Sequence, residues 1–255
     1  MHKPLMFLCA IFGFGLGILP VQSFAESTST FSATAVQTLP NGAAQKGKIF
    51  VSGYDTRFEF TEHGRDIIQI ILPKQKIMRI LFPKDKVFME VGAPDNSPIA
   101  MNNNKAPCPP VDAMICKKLG TDKFGKLVVE RWSQSVKGVK GEATLWWEPL
   151  RKMIVRQEYP DGRIMQLKLT DNKLLNGREL EHWTIAIAQP GKKTLSGFRL
   201  LDMALGIVVK EQYPNGLIRE LKNLKVIKAD PEWFAVPANF QRVHPPKPTN
   251  IPKQK

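Results

Sequence analysis

Two stretches of this chain read alike at an offset of 54 residues, and that repetition limits the fold more than any other feature. Ile154-Val155-Arg156-Gln157-Glu158-Tyr159-Pro160-Asp161-Gly162 is matched by Val208-Val209-Lys210-Glu211-Gln212-Tyr213-Pro214-Asn215-Gly216. The match runs on through Ile164/Ile218 and Leu167/Leu221. Upstream, Glu130-Arg131-Trp132 matches Glu181-His182-Trp183 at an offset of 51. A unit of roughly 50 residues therefore occurs twice, over about 126–170 and 177–224. Two copies are too few for a solenoid. Each unit reads as a four-stranded meander, and Asp161-Gly162 and Asn215-Gly216 are its hairpin turns, because Asp-Gly and Asn-Gly accept the positive φ such turns need. Two meanders side by side extend one sheet.

The first half is written in the same language. Thr30–Leu39 alternates, with Phe31, Ala33 and Ala35 on one side. From 47 to 91, apolar runs are separated by His63-Gly64, Pro73 and Pro83, at the spacing of an antiparallel meander. Two of the runs, Ile67–Leu72 and Ile77–Phe82, are apolar on both faces. A sheet with one wet face would alternate, so helices, loops, another sheet or a greasy ligand must cover the second face. The expectation is a mainly β, single-domain, curved antiparallel sheet over residues 26–240, with a loop or short-helix lid.

Residues 92–122 break the pattern. Pro94, Pro98, Pro107, Pro109, Pro110 and Asn102-Asn103-Asn104 predict a long irregular flap, with Val111–Leu119 as one or two helical turns. Before the sheet, His2-Lys3, an apolar run over Leu5–Leu19, Pro20 and Ser23-Phe24-Ala25 make the three-part pattern of a secretory signal peptide, cleaved after Ala25. The apolar run is short for a membrane span of roughly 20 residues. Export to a periplasm follows. The exported chain keeps Cys108 and Cys116, and an even pair in an exported chain reads as a disulfide. At the other end, Ala229–Phe234 reads as a short helix start with Pro231 in its first turn, and residues 241–255, rich in Pro and Lys, as a disordered tail.

Composition narrows the function. The chain has 37 Lys+Arg against 23 Asp+Glu and only four His. His-Glu-x-x-His, Gly-x-Ser-x-Gly and Gly-rich phosphate loops are all missing from the sequence. His63, His182 and His244 read as solvated or satisfied side chains. The expectation is no enzyme, no metal and no cofactor. The formal charge of +14 would suggest nucleic acid in the cytosol. Export removes that partner, and the Lys and Arg are scattered along the strands. A solvated basic surface or attraction to an anionic membrane surface remains.

Phe31-Ser32-Ala33-Thr34-Ala35-Val36-Gln37, the Gly47–Glu59 strand pair and Asp230-Pro231-Glu232-Trp233-Phe234-Ala235-Val236-Pro237 resemble the LolA-like proteins. That family holds periplasmic lipoprotein carriers, their receptors and the N-terminal domain of the stress regulator RseB. The likeness spans most of residues 30–240. It implies an unclosed antiparallel β-barrel with a lid over a hydrophobic cavity for acyl chains, and it brings no catalytic residues. The Pro/Asn-rich segment with its cysteines and the duplicated unit depart from the carrier pattern. The candidate ligand is thus a hydrophobic, acylated lipid or lipoprotein. Its candidate lining is Ile68, Ile70, Ile80 and Phe82, with Ile71 and Leu81 as the opposite-face alternative. Trp146 or Trp147 faces the cavity or a partner, since neighbours on a strand point apart. Trp132 and Trp183 read as core landmarks. The alternative function is an envelope regulatory or interaction module without cargo.

Overall fold

In the computed structural model, which describes residues 30–93, 107–108 and 113–244, the chain forms sixteen strands of one sheet. The first meander is β1 (Thr30–Thr38), β2 (Ala44–Ser52), β3 (Asp55–Glu62), β4 (Arg65–Leu72), β5 (Ile77–Phe82) and β6 (Val87–Gly92). The second opens with β7 (Met114–Phe124). It continues through β8 (Leu127–Val136), β9 (Ala143–Glu148), β10 (Met153–Glu158) and β11 (Ile164–Leu175). Then come β12 (Arg178–Ala188), β13 (Leu195–Asp202), β14 (Ile207–Gln212) and β15 (Ile218–Val226). A short β16 (Gln241–Arg242) ends the described chain.

The order across the sheet is β16-β6-β5-β4-β3-β2-β1-β15-β14-β13-β12-β11-β10-β9-β8-β7. Every pairing is antiparallel except β16 with β6. The chain thus leaves the sheet at one edge, after β6, and re-enters at the other, as β7. It works back inwards until β15 pairs with β1, from Phe31↔Val226 to Thr38↔Ile218. Among the described residues β6 and β7 do not pair, so the curved sheet stays unclosed.

The duplicated unit occupies β8–β11 and β12–β15. Equivalent turns close in the same way. Tyr159 N donates to Arg163 O at 2.9 Å and Tyr213 N to Leu217 O at 2.8 Å. Asp161 and Asn215 each accept the amide two residues on, at 3.1 Å. Gly162 and Gly216 take φ of +79° and +88°, which glycine adopts without steric cost. Leu39-Pro40-Asn41-Gly42 builds a third such turn, with Gly42 N on Leu39 O at 2.9 Å and Ala43 N on Asn41 Oδ1 at 3.1 Å. The prolines of this rim pack on glycines of the preceding hairpin: Pro160 on Gly141, Pro190 on Gly162 and Pro214 on Gly197.

The largest core cluster runs from Val129 and Leu145 through Trp147, Val155 and Leu167 to Trp183, Ile185 and Leu201. Arg151 ties the two units together. It bonds Glu148 in its own turn and Glu181 of the next unit, Nε to Oε2 at 2.7 Å and Nη2 to Oε1 at 2.6 Å. Glu148 also accepts the amides of Leu150 and Arg151. Its counterpart in the second unit, the buried Asp202, accepts Leu205 N and pairs with Arg178.

Three expectations change here. Of the expected helical turns over Val111–Leu119, the part from Met114 is strand, the start of β7. One or two helical turns are costly to nucleate, whereas pairing with β8 gives the same backbone its hydrogen bonds along the strand. The flap is shorter for the same reason; its remainder, residues 94–106 and 109–112, lies outside the described residues. Residues 241–244 are not a free tail either. Gln241 N donates to Lys86 O at 2.9 Å, Val243 N to Phe88 O at 2.8 Å, and Arg242 bonds Glu90 at 3.2 Å. The proposed signal segment 1–25 and residues 245–255 fall outside the described residues.

Cys108 and Cys116 are joined, with Cα atoms 6.4 Å apart. Chain entropy assigns about 2.5 kcal/mol to a loop this short. Cys116 sits on the edge strand, while Cys108 is half-buried and packed against the large core. Replacing both cysteines by serine should therefore lower the urea-unfolding free energy by about 2.5 kcal/mol for the loop, with a further cost, at the low end of about 1–3 kcal/mol, for the hydroxyl left at the half-buried position 108. A loss well above that would mean that the bridge organises the sheet as well as the loop.

Candidate functional site

The register decides which side chains meet. β4 pairs with β5 so that Ile68 opposes Leu81, Ile70 opposes Arg79 and Leu72 opposes Ile77. Even positions of β4 thus share a face with odd positions of β5. The expected lining therefore does not form one site. Ile68 and Ile70 lie on one face with Leu81, while Ile80 and Phe82 lie on the other with Ile71. The miss is one of pairing parity, which the turn at Pro73–Gln75 and the left-handed Lys76 set.

On the first face Ile70, Leu72 and Leu81 are buried, with Ile68, Ile77 and Phe88 around them, beneath Phe234 and Phe240. These two belong to a strap that crosses the sheet after β15. Asp230 starts it, capping the 3-10 turn Pro231–Phe234 by accepting Glu232 N at 3.0 Å. Arg57 donates to Trp233 O at 2.9 Å and Arg79 to Phe234 O at 3.4 Å. Glu59 and Glu90 hold these two guanidinium groups from the side. Trp233 also meets Phe50, ring centroids 5.1 Å apart. The strap is thus the cover that the doubly apolar strands required. On the second face Ile71, Met78, Ile80 and Met89 pack with Phe58, Ile67, Phe82, Val91 and Val243.

Beside the strap, a cleft of about 530 Å³ opens over β1–β4, within the usual range of small-molecule sites, roughly 300–1,000 Å³. Phe60, Ile67, Ile68 and Pro83 supply its apolar surface, and Lys46, Lys48, Glu59 and Asp66 its charges. Glu59 is engaged by Arg57 and Asp66 by Thr61. Ile68 belongs both to this cleft and to the cluster under the strap. Sequence reasoning found Ile68 but missed Lys46 and Lys48, which β2 carries in an exposed, unremarkable alternation. A second cleft of the same volume is lined by the charged Arg178, Glu179, Glu181 and Asp202 together with the apolar Met203 and Ala204.

Trp146 stands apart, in the second meander. Its indole donates to Asp122 Oδ2 at 3.2 Å and Arg156 lies 5.3 Å from its ring. The Lys123 amide, and after it the Trp146 indole, hold the Asp122 carboxyl below its ordinary range. Trp147, on the other side of the strand, is core. His182 is bonded to Asp171 at 2.6 Å and meets Phe198 edge-on. Across the second face runs a belt of polar side chains. Arg199 pairs with Glu211 in a buried position, and Arg219 reaches Tyr213 Oη at 3.0 Å and Gln37 at 3.4 Å. Burial, and after it the Glu211 charge, push the Tyr213 phenol far above its usual range. Among the described residues no three His, Cys, Asp or Glu side chains cluster to hold a metal, and no helix is long and apolar enough to cross a membrane.

No protein-family model matches this chain, and no curated protein matches it. Solved structures do. The chain is similar to a LolA superfamily protein from Nitrosomonas europaea, at 11 % identity over 85 % of this chain and 94 % of that one, with a TM-score of 0.37. It is also similar to a putative outer membrane lipoprotein-sorting protein domain from Vibrio parahaemolyticus, at 11 % identity over 82 % and 90 % of the two chains, with a TM-score of 0.28. MucB shares 10 % identity over 85 % of this chain and 60 % of its own length, with a TM-score of 0.32. Values this low leave function to be argued from the chain's own residues.

Proposed function

We propose that the protein is a non-catalytic binding or carrier protein of the cell envelope for an acylated amphiphile with an acidic head group. The observation that carries this reading is the cleft at Ile68. Two lysines with no acidic partner among the described residues, Lys46 and Lys48, share a face with Ile68, and that face continues as an apolar floor beneath the strap through Ile70 and Leu81. An acyl chain on such a floor gains roughly 0.8 kcal/mol per buried methylene. Lys46 and Lys48 would hold the head group. Ile80, Phe82 and Trp146 fall outside this site. A second reading, an interaction module without cargo, draws on the strap itself: the apolar face it covers is already satisfied.

The test is to express the chain from Glu26 in a periplasm, purify it without detergent, and compare native with denaturing mass spectra. The expected result is a mass excess that disappears on denaturation and extracts as lipid. A fluorescent fatty acid should bind, and the double variant Lys46→Glu/Lys48→Glu should bind it about tenfold more weakly or worse, which corresponds to about 1.4 kcal/mol. A clean apo mass without probe uptake sinks the carrier reading and leaves the interaction module.

A further inference from the structure

The two edges of the sheet are finished differently. At one, β6 is capped by β16. At the other, β7 is an eleven-residue strand with a partner on one side only among the described residues. An open edge presents a row of backbone donors and acceptors to any extended chain. β7 also carries exposed apolar side chains, Ile115 at 63 % and Leu119 at 44 % of full exposure. Leu119 is the extra residue of a bulge between Lys118 and Gly120.

Charge selects the partner. Residues 113–140 hold seven Lys and Arg against two Asp and Glu. Both acids are spoken for. Asp122 accepts from Trp146, and Glu130 from Lys118 and Trp132. Lys117, Lys123, Lys126, Lys137 and Lys140 are left without an acidic partner among the described residues. A second copy paired on this edge would set these lysines against their own kind, and like charges directly opposite are destabilising. An acidic strand would find the reverse. We infer that the free edge of β7 takes an extended acidic segment of a partner protein by strand addition. Main-chain bonds supply the attachment, and side chains on the segment's two faces, meeting Ile115 and Lys117 on one and Lys123 on the other, supply the selection. This site lies on the strand farthest from β4 in the sheet and does not depend on the lipid reading.

The experiment uses the full exported chain and a ten-residue peptide alternating Glu with Val and Thr, beside its Gln counterpart. Hydrogen exchange should slow across Met114–Phe124 when the Glu peptide is added, with β6 unchanged. Binding should weaken as salt rises. The Gln peptide should bind about tenfold more weakly or worse. The double variant Lys117→Glu/Lys123→Glu should lose the peptide to the same degree while keeping the parent's melting temperature and free-state exchange pattern. Equal binding of both peptides, or no slowing in β7, would overturn the inference. So would β7 amides that are all slow in the free chain, since the edge would then already be covered by the chain itself. A concentration-dependent dimer that protects β7 would overturn it too, by making a second copy the partner.

Discussion

Trp183→Ala is expected to cost about 3–5 kcal/mol, the range for emptying a large buried aromatic site, and Trp132→Ala no more than about half of that. The two residues hold equivalent places in the repeat, and each indole donates to the glutamate two residues before it, at 3.0 Å. Their surroundings differ. Trp183 is 0 % exposed and lies in the large core cluster. Its partner Glu181 also takes both arms of Arg151, whose guanidinium lies 5.4 Å from the indole ring. Removing the ring empties a closed site and disturbs the ion pair that ties one unit to the next. Trp132 is half-buried, because only β7 lies beyond β8, and its glutamate pairs with the exposed Lys118. Urea unfolding of both variants decides the point. Equal losses would mean that the repeat, and not the position in the sheet, sets the energetics.

That contrast shows what the sequence could and could not convey. Strands, turns and the repeat were legible because each is a local pattern: alternation, Pro and Gly punctuation, and Asp-Gly or Asn-Gly at a fixed offset. The strap was half legible. Asp230-Pro231 announced the turn, but nothing local said that Phe234 and Phe240 would lie on Ile70 and Leu81. The site was the least legible part. Ile68 and Ile80 look alike in the text, and only the cross-strand register puts them on opposite faces. Lys46 and Lys48 become notable only once β3 and β4 bring Ile68 onto their face. The strand at Met114–Phe124 was hidden by the prolines before it, whose punctuation extends to the flap but not to the residues that β8 recruits.

The repeat also invites an error that the structure corrects, and it gives the sharpest test of the rim. Ala143 in the first unit corresponds to Gly197 in the second. Copying the alanine across looks stabilising, since replacing glycine at a compatible position gains about 0.4–1 kcal/mol through the unfolded chain. We expect Gly197→Ala instead to destabilise the protein by about 3 kcal/mol. A Cβ there would lie 2.2 Å from the backbone oxygen of Gln212 and 3.3 Å from Pro214 Cδ. Neither neighbour is the far end of a flexible side chain. The carbonyl belongs to β14, and moving it opens the Phe198↔Gln212 pairing. Overpacking of this kind costs about 1–3 kcal/mol, and a disturbed ladder bond adds about 1 kcal/mol. The same substitution at Gly92, where among the described residues beyond its chain neighbours no atom lies within 4 Å of the new carbon, should change stability by less than about 0.5 kcal/mol. Thermal melts separate the two cases, because about 3 kcal/mol corresponds to a fall of roughly 6–12 °C in a chain of this size. A Gly197→Ala protein that melts with the parent would show that β13 and β14 can part without loss. The rim of prolines on glycines would then be ornament to the fold rather than a constraint on it.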